Sequence, residues 1–385
     1  MVLIFMIRYT NEESLEAKNY MKLLAILKDE DSLKSMNCLS SGQITIHDTI
    51  LQYALAEVTT PTFNLDINPN SVLIQKKAFS CNYRDIGLMF YHRTQFNDTN
   101  IFTPIGSDFS GIVIDKGKNV KTLEIGDRVI PNSQYPMLQN NRINEGVATN
   151  HASLEYEIFH EKKVMKMPDS MSFEIGAGFT IGAQTAYSMI EKLQIKPGKK
   201  VLITGITANT SLFILSALKN KNVDIFATAR NYKGLTNINT LHSDKIFLVG
   251  DDVVDFLDVD AIHDHISIFG KFDYVIDPFS DTNLFRLINI LGINGKYITC
   301  GTSNQLRPEK HNVDTFNFFA QLIINNISII GNCLGSTAMV KKALAAYDKK
   351  LFDIPVCSII ENDSQKFMDY TFLSKPMPGK VIFKY

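Results

Sequence analysis

The sequence predicts an α/β chain in which a doubly wound parallel sheet is joined to a separate β-rich domain. Three observations predict it. From about residue 200 to 300, short apolar runs ("KVLITG", "VDIFATAR", "KFDYVIDP", "GKYITCGT") alternate with helical stretches ("SLFILSALKN", "LFRLINIL"). Apolar strands alternating with helices make a parallel sheet covered on both faces. From about 50 to 170, by contrast, "SVLIQKKAF", "GIVIDKG" and "DRVIPN" are punctuated by Pro, Gly, Asn and Asp, which reads as a β domain. Finally, 385 residues with 45% apolar content suffice for two domains with real cores.

Taken in chain order, "MVLIFMIRY" is too short to span a bilayer and lacks a basic n-region and a cleavage site. It reads as a strand or tail of a cytoplasmic protein. "NEESLEAKNYMKLLAILKDEDSLKSM", residues 11–36, has helix-like apolar spacing and many charges, and predicts a solvated helix in an N-terminal extension, 1–45. The β-rich domain follows over 46–170. Residues 172–194 read as a helix opened by Ser172. Strand and helix then alternate through 335. The tail, 336–385, holds a helix ("AMVKKALAAYDKKL") and a last strand ("KVIFKY"). "NNISIIGNCLG" reads as an apolar strand at the sheet edge, and such edges invite pairing, here into a homodimer.

Composition excludes several classes. A formal net charge of -1 gives no field to attract nucleic acid or an anionic membrane. The five cysteines (Cys38, Cys81, Cys300, Cys333 and Cys357) are scattered and never form a CxxC pair, which argues against a disulfide framework or a cysteine-rich zinc lobe.

The β-rich half carries "PIGSDFSGIVIDKGKNVKTLEIGDRVI", followed in register by "GAQTAYSMI", "KFDYVIDP", "GKYITCGT" and "GKVIF", and preceded by "FSCNYRDIG". This order resembles the medium-chain dehydrogenase/reductase superfamily over roughly residues 50–385, and "NYRD" is most similar to its quinone- and enoyl-reductase branches. The resemblance implies a Rossmann domain (171–335) inserted into a GroES-like catalytic domain (46–170 with 336–385), with the active site in the cleft between them. Zinc-dependent members would carry metal ligands where this chain has Asn82, Ser107 and Asp108. These residues cannot supply a tetrahedral thiolate and imidazole set, so no zinc is expected.

In relatives the phosphate-binding turn reads G-x-x-G-G-V-G. Here it is Gly205-Ile206-Thr207-Ala208-Asn209-Thr210-Ser211. Small and polar residues replace the later glycines, and a helix N-terminus still attracts phosphate through its N–H groups and dipole. The next strand ends in "ATARNYKG", without the acid that would bind a ribose in an NAD site. Thr228, Arg230 and Lys233 suit a 2′-phosphate and Tyr232 could stack on adenine, so the expected cofactor is NADPH. Cys300, Gly301 and Thr302, and later Cys333 through Ser336, end strands at the carboxyl edge, where the nicotinamide is expected.

Without a metal to polarise a simple carbonyl, the resemblance points to reduction of an activated C=C bond. Candidate donors for the enolate and the proton are Asn82, Tyr91 and His92, while Arg84 and Asp85, with Tyr83, suit a structural pairing. His151 and Glu155 either touch substrate or lie on the surface. The substrate stays open among a quinone, an enone, an enoyl thioester and a dehydroamino-acid residue in a peptide, since some similar superfamily members reduce dehydroalanine in lanthipeptide precursors. The competing expectation is a non-catalytic NADPH-binding protein of the same fold.

Overall fold

The computed structural model describes residues 20–135, 146–235, 238, 241–303, 314–374 and 376–385. The first described segment is β1 (Tyr20–Leu27), followed by a short 3-10 turn, β2 (Asn37–Ile46) and β3 (Thr49–Thr59). The helix expected over 11–36 is therefore absent from its described part, and residues 11–19 lie outside the described residues. The reason is that β1 is buried on both faces. Leu24 and Ile26 enter one core while Met21, Leu23 and Ala25 enter another, a period of two that an all-apolar run conceals. β2 and β3 form a hairpin whose turn residues His47 and Asp48 both have positive φ, 46° and 62°, as a tight hairpin requires. The boundary drawn at residue 45 thus falls inside a paired hairpin.

β4 (Ser71–Ser80), α1 (Arg84–Arg93), β5 (Phe102–Pro104), β6 (Asp108–Lys116), β7 (Arg128–Pro131), β8 (Tyr156–His160) and β9 (Val164–Lys166) build the catalytic domain. β5 adds to the N-terminal sheet, whose order is β2-β3-β1-β5. The expected helix at 172–194 is two helices, α2 (Phe173–Ala177) and α3 (Thr180–Leu193), and Ser172 caps the first by accepting from the Ile175 N–H at 3.2 Å.

The nucleotide-type domain follows as β10 (Lys200–Ile203), α4 (Asn209–Leu218), β11 (Asp224–Ala229), β12 (Ile246–Leu248), α5 (Asp260–Phe269), β13 (Phe272–Asp277), α6 (Ser280–Leu287), β14 (Leu291–Thr299), α7 (Thr315–Ile324) and β15 (Ser328–Gly331). Its strands pair in parallel in the order β12-β11-β10-β13-β14-β15. Val201 and Ile203 of β10 face a core shared with α3 and α4, while Leu202 faces the opposite core with α5, α6 and α7. The order reverses between β10 and β13, and the crevice outside their carboxyl ends is where such sheets bind ligands. The chain closes with α8 (Thr337–Asp348), β16 (Val356–Glu361), α9 (Ser364–Phe372) and β17 (Lys380–Lys384). β17 returns to the catalytic sheet, pairing with β4 and β16, whereas α8 packs beside α3. Among the described residues, no helix is long and apolar enough to cross a membrane.

Candidate active site

Three strand ends converge at the switch point. Asp277, at the end of β13, is wholly buried. It accepts hydrogen bonds from the Thr204 hydroxyl (2.5 Å), the Tyr297 hydroxyl (2.5 Å), the Phe279 N–H (3.0 Å) and the Asn283 amide (3.1 Å). Burial pushes its carboxyl above the ordinary range, against the pull of these donors. The same burial, with Asp277 alongside, raises the Tyr297 phenol. One carboxylate thereby ties β10, β13 and β14 together directly beneath the Gly205 turn. Sequence reasoning missed it, because "VIDP" reads only as a strand end until the neighbouring strands are in place.

The turn itself depends on Gly205. Its φ is +54°, and a Cβ there would lie 2.6 Å from the Phe279 ring, so only glycine fits. The Gly205 N–H donates to the Thr228 hydroxyl (3.3 Å) and the Ile206 N–H to the Thr228 carbonyl (2.8 Å). Thr228 is buried and holds the turn, which differs from the exposed role toward a 2′-phosphate expected from the sequence. Ser211 also differs. Its buried hydroxyl donates back to the Thr204 carbonyl at 2.7 Å instead of facing outward. Ala208 is the N-cap of α4 and its own side chain makes no capping hydrogen bond. Asn209 and Thr210 occupy the helix's first turn, and Thr207 precedes it. A Cβ at Gly234 would meet Pro378 at 2.9 Å and come within 3.8 Å of Thr207, which draws the loop carrying Arg230, Tyr232 and Lys233 up to the turn. All three of these side chains are exposed. Arg230 lies 3.5 Å from the Asp251 carboxylate, both highly exposed, a pairing the sequence did not reveal. The residues present fit a dinucleotide: a glycine-only turn, a helix start with Ala208 at its N-cap and an acid-free strand end with two cations.

Cys300, Gly301 and Thr302 leave β14 beside this turn. The Gly301 carbonyl accepts from the Ser280 N–H (3.2 Å) and hydroxyl (2.9 Å), and Asp281 accepts from the Ser303 N–H at 2.7 Å, so the loop is docked on the start of α6. Burial pushes the Cys300 thiol up to about 12, with smaller pushes from Asp277 and Cys333. Cys333, at the other strand end, is exposed.

Across the cleft lies a charge network at the positions where zinc-dependent relatives would hold metal. The Asn82 amide donates to Asp108 (2.9 Å) and to the Ser107 hydroxyl (3.1 Å), and its oxygen accepts from Lys380 Nζ (2.9 Å). Both amide hydrogens are thus engaged within the protein, which removes the enolate-donor role expected of Asn82. Lys380 also donates to the Cys81 carbonyl and stands 3.7 Å from Asp108, with both side chains buried. Burial lowers the ammonium and raises the Asp108 carboxyl, and their mutual attraction opposes both shifts. Asp85 accepts from the Asn82 N–H (2.8 Å), the Ser107 hydroxyl (2.7 Å) and Arg84 (3.0 Å), the structural pairing expected of "NYRD".

The other expected donors sit elsewhere. Tyr91 is exposed on α1, its ring against His92. His92 lines a small cavity with Asp85, Met89, Thr103, Ile105 and Asn150, all of the catalytic domain. Burial, then the nearby His151, lowers its basicity. His151 is shielded in the same region, and the Glu155 carboxylate accepts from the Lys22 N–H and the Gln75 amide, an internal tie between β1 and β4. Among the described residues, Tyr83 reaches across the cleft: its hydroxyl donates to the Ser303 carbonyl at 2.5 Å.

A GroES-like domain carrying a six-stranded parallel Rossmann-type sheet, with a crevice between them, is the medium-chain dehydrogenase/reductase fold. The family profile "Alcohol dehydrogenase GroES-like domain" matches residues 68–169. A zinc-type alcohol dehydrogenase-like protein of Schizosaccharomyces pombe is 25% identical over 262 residues, 63% of this chain and 69% of that protein. A trans-enoyl reductase of Aspergillus flavipes is 29% identical over 194 residues, 46% of this chain and 52% of that one, so the match spans about half the relative's length. The solved structure of the crotonyl-CoA carboxylase/reductase AntE in complex with NADP superposes with a TM-score of 0.69 at 15% identity, covering 95% of each chain.

Proposed function

We propose that the protein is an NADPH-dependent oxidoreductase that reduces a conjugated C=C bond without zinc. The observation that carries this reading is the pairing of two sites across one crevice. On one side stands the glycine-only turn with its acid-free, cationic neighbour loop. On the other stands Lys380, an ammonium already bonded to Asn82 beside Asp108. A fixed ammonium there supplies positive charge from the chain itself and opposes a divalent cation. The likeness to an enoyl reductase supports the same class of acceptor: an enone, a quinone or an enoyl thioester. No residue of the site singles out a dehydroalanine-containing peptide.

When bound, NADPH would supply hydride to the electrophilic carbon. The residues named here would hold its phosphates at Gly205–Thr210 and its 2′-phosphate at Arg230 and Lys233. The test is turnover of protein dialysed against a chelator, offered NADPH and a panel of conjugated acceptors. Consumption of NADPH with at least one acceptor is expected. Activity restored only by added zinc would overturn the zinc-free reading, and binding without any turnover would favour a non-catalytic nucleotide-binding protein.

We also propose that the chain forms a homodimer through the β15 edge. Ile329 of that strand is 41% exposed, and beside it α7 exposes Phe316 at 84%, Ile323 at 69% and Ile324 at 71%. An apolar edge strand with an apolar helix next to it is a surface that soluble chains seldom leave uncovered. Sedimentation at micromolar concentration should give a dimer mass, and replacing Ile329 by lysine should give a monomer. A wild-type monomer would contradict the proposal.

A further inference from the structure

The N-terminal hairpin brings a histidine to the crevice. β2 and β3 lie before the matched catalytic-domain segment, which begins at residue 68. The hairpin tip nevertheless ends at Tyr83: His47 Nε2 stands 3.4 Å from the Tyr83 hydroxyl. That hydroxyl in turn donates to the carbonyl of Ser303, one residue beyond Thr302 at the nicotinamide end of the sheet. Of the tyrosines and histidines named for the reaction, Tyr91 is exposed on α1 and His92 faces a cavity of the catalytic domain alone. Tyr83 is the phenol that touches the nucleotide-domain side of the crevice. Burial and the Asp281 carboxylate hold that phenol protonated, above its ordinary value.

We infer that Tyr83 is the residue that protonates the substrate's α-carbon, and that His47, from the N-terminal sheet, is the positioning residue that returns a proton to it. The inference rests on the alkene-reductase reading. The step balances without a further co-reactant. Once the β-carbon has received hydride, the enolate's electron pair takes the Tyr83 proton and forms the new C–H bond, and the O–H bond breaks to leave a tyrosinate. His47 Nε2–H passes its proton to that oxygen, and solvent reprotonates the imidazole. The hairpin tip is exposed, so the imidazole has direct access to water. At 3.4 Å the His47–Tyr83 contact is long, as catalytic hydrogen bonds commonly are before substrate closes on them.

The test has two parts. In the first, imidazole resonances are recorded without nucleotide. Tyr83→Phe should move the His47 resonance, identified by its loss in His47→Gln, and leave the other histidines in place. An unmoved His47 resonance would overturn the pairing whatever the enzyme does. In the second, kinetics are measured with an acceptor that wild type reduces. Tyr83→Phe should lower kcat by about a hundredfold, at the lower end for general acid catalysis, with KM nearly unchanged. His47→Ala should lower kcat less and regain part of it on addition of free imidazole, a rescue that a merely structural residue would not show. Wild-type turnover with both variants unaffected overturns this inference alone. Wild type inactive with every conjugated acceptor overturns the reductase reading, and this inference with it.

Discussion

Lys380→Met lowers the free energy of unfolding by about 3–5 kcal/mol, the usual cost of removing one partner from a buried ion pair. The ammonium is buried, within hydrogen-bond reach of the Cys81 carbonyl and Asn82, and 3.7 Å from an equally buried Asp108. Methionine keeps most of the volume but leaves the Asp108 charge uncompensated and the Asn82 oxygen without its donor. Asp85 joins the network through the Asn82 N–H and the Ser107 hydroxyl, so the loss spreads to the start of α1. Urea unfolding measures it. The double variant Lys380→Met/Asp108→Asn should recover much of the loss, because it removes the stranded charge. A single-variant loss below about 1 kcal/mol would mean that the network is more solvated than its burial indicates.

The second large effect concerns nucleotide choice. Arg230→Ala weakens NADPH binding about tenfold or more, the size of one charge-assisted hydrogen bond, and hardly changes NADH binding. The bidentate guanidinium would face only the 2′-phosphate, which NADH lacks. The structure adds a control that the sequence did not suggest. Asp251 lies 3.5 Å from Arg230 and competes for it, so Asp251→Asn should strengthen NADPH binding while Arg230→Ala weakens it. Lys233 stands on the same loop, and Arg230→Ala/Lys233→Ala should lose more than either single variant. Equal loss of both nucleotides in Arg230→Ala would make Arg230 a structural residue of the loop.

What was legible in the sequence follows from the range of the interactions involved. The nucleotide-domain strands β10, β11, β13, β14 and β15 were legible because each is a short apolar run bounded by its own turn residues, whereas the three-residue edge strand β12 (Ile246–Leu248) is too short to show. Gly205 was legible as a tight turn, and the acid-free end of β11 as a site without a ribose-binding carboxylate. The N-terminal sheet was not. β1 is apolar on both faces, and its helix-like spacing arises from two cores meeting on one strand. Thr228 was assigned a ligand role because a hydroxyl near a binding turn suggests one, whereas it and Ser211 are spent on the turn's own backbone. Lys380 stood in the closing motif "GKVIF", yet its partner Asn82 lies 298 residues earlier, and no local pattern links them. His47 and Tyr83 meet only because a hairpin from outside the matched domain reaches the crevice.

The measurement that tests the account most directly is a fluorescence titration of the chelator-treated wild-type protein with NADPH and with NADH. The account predicts saturable binding of NADPH, at least tenfold tighter than of NADH, reduced toward the NADH value by Arg230→Ala. Binding of neither nucleotide would contradict it, since the Gly205–Ser211 turn would then be a structural feature and no reductase chemistry could follow from the crevice it borders.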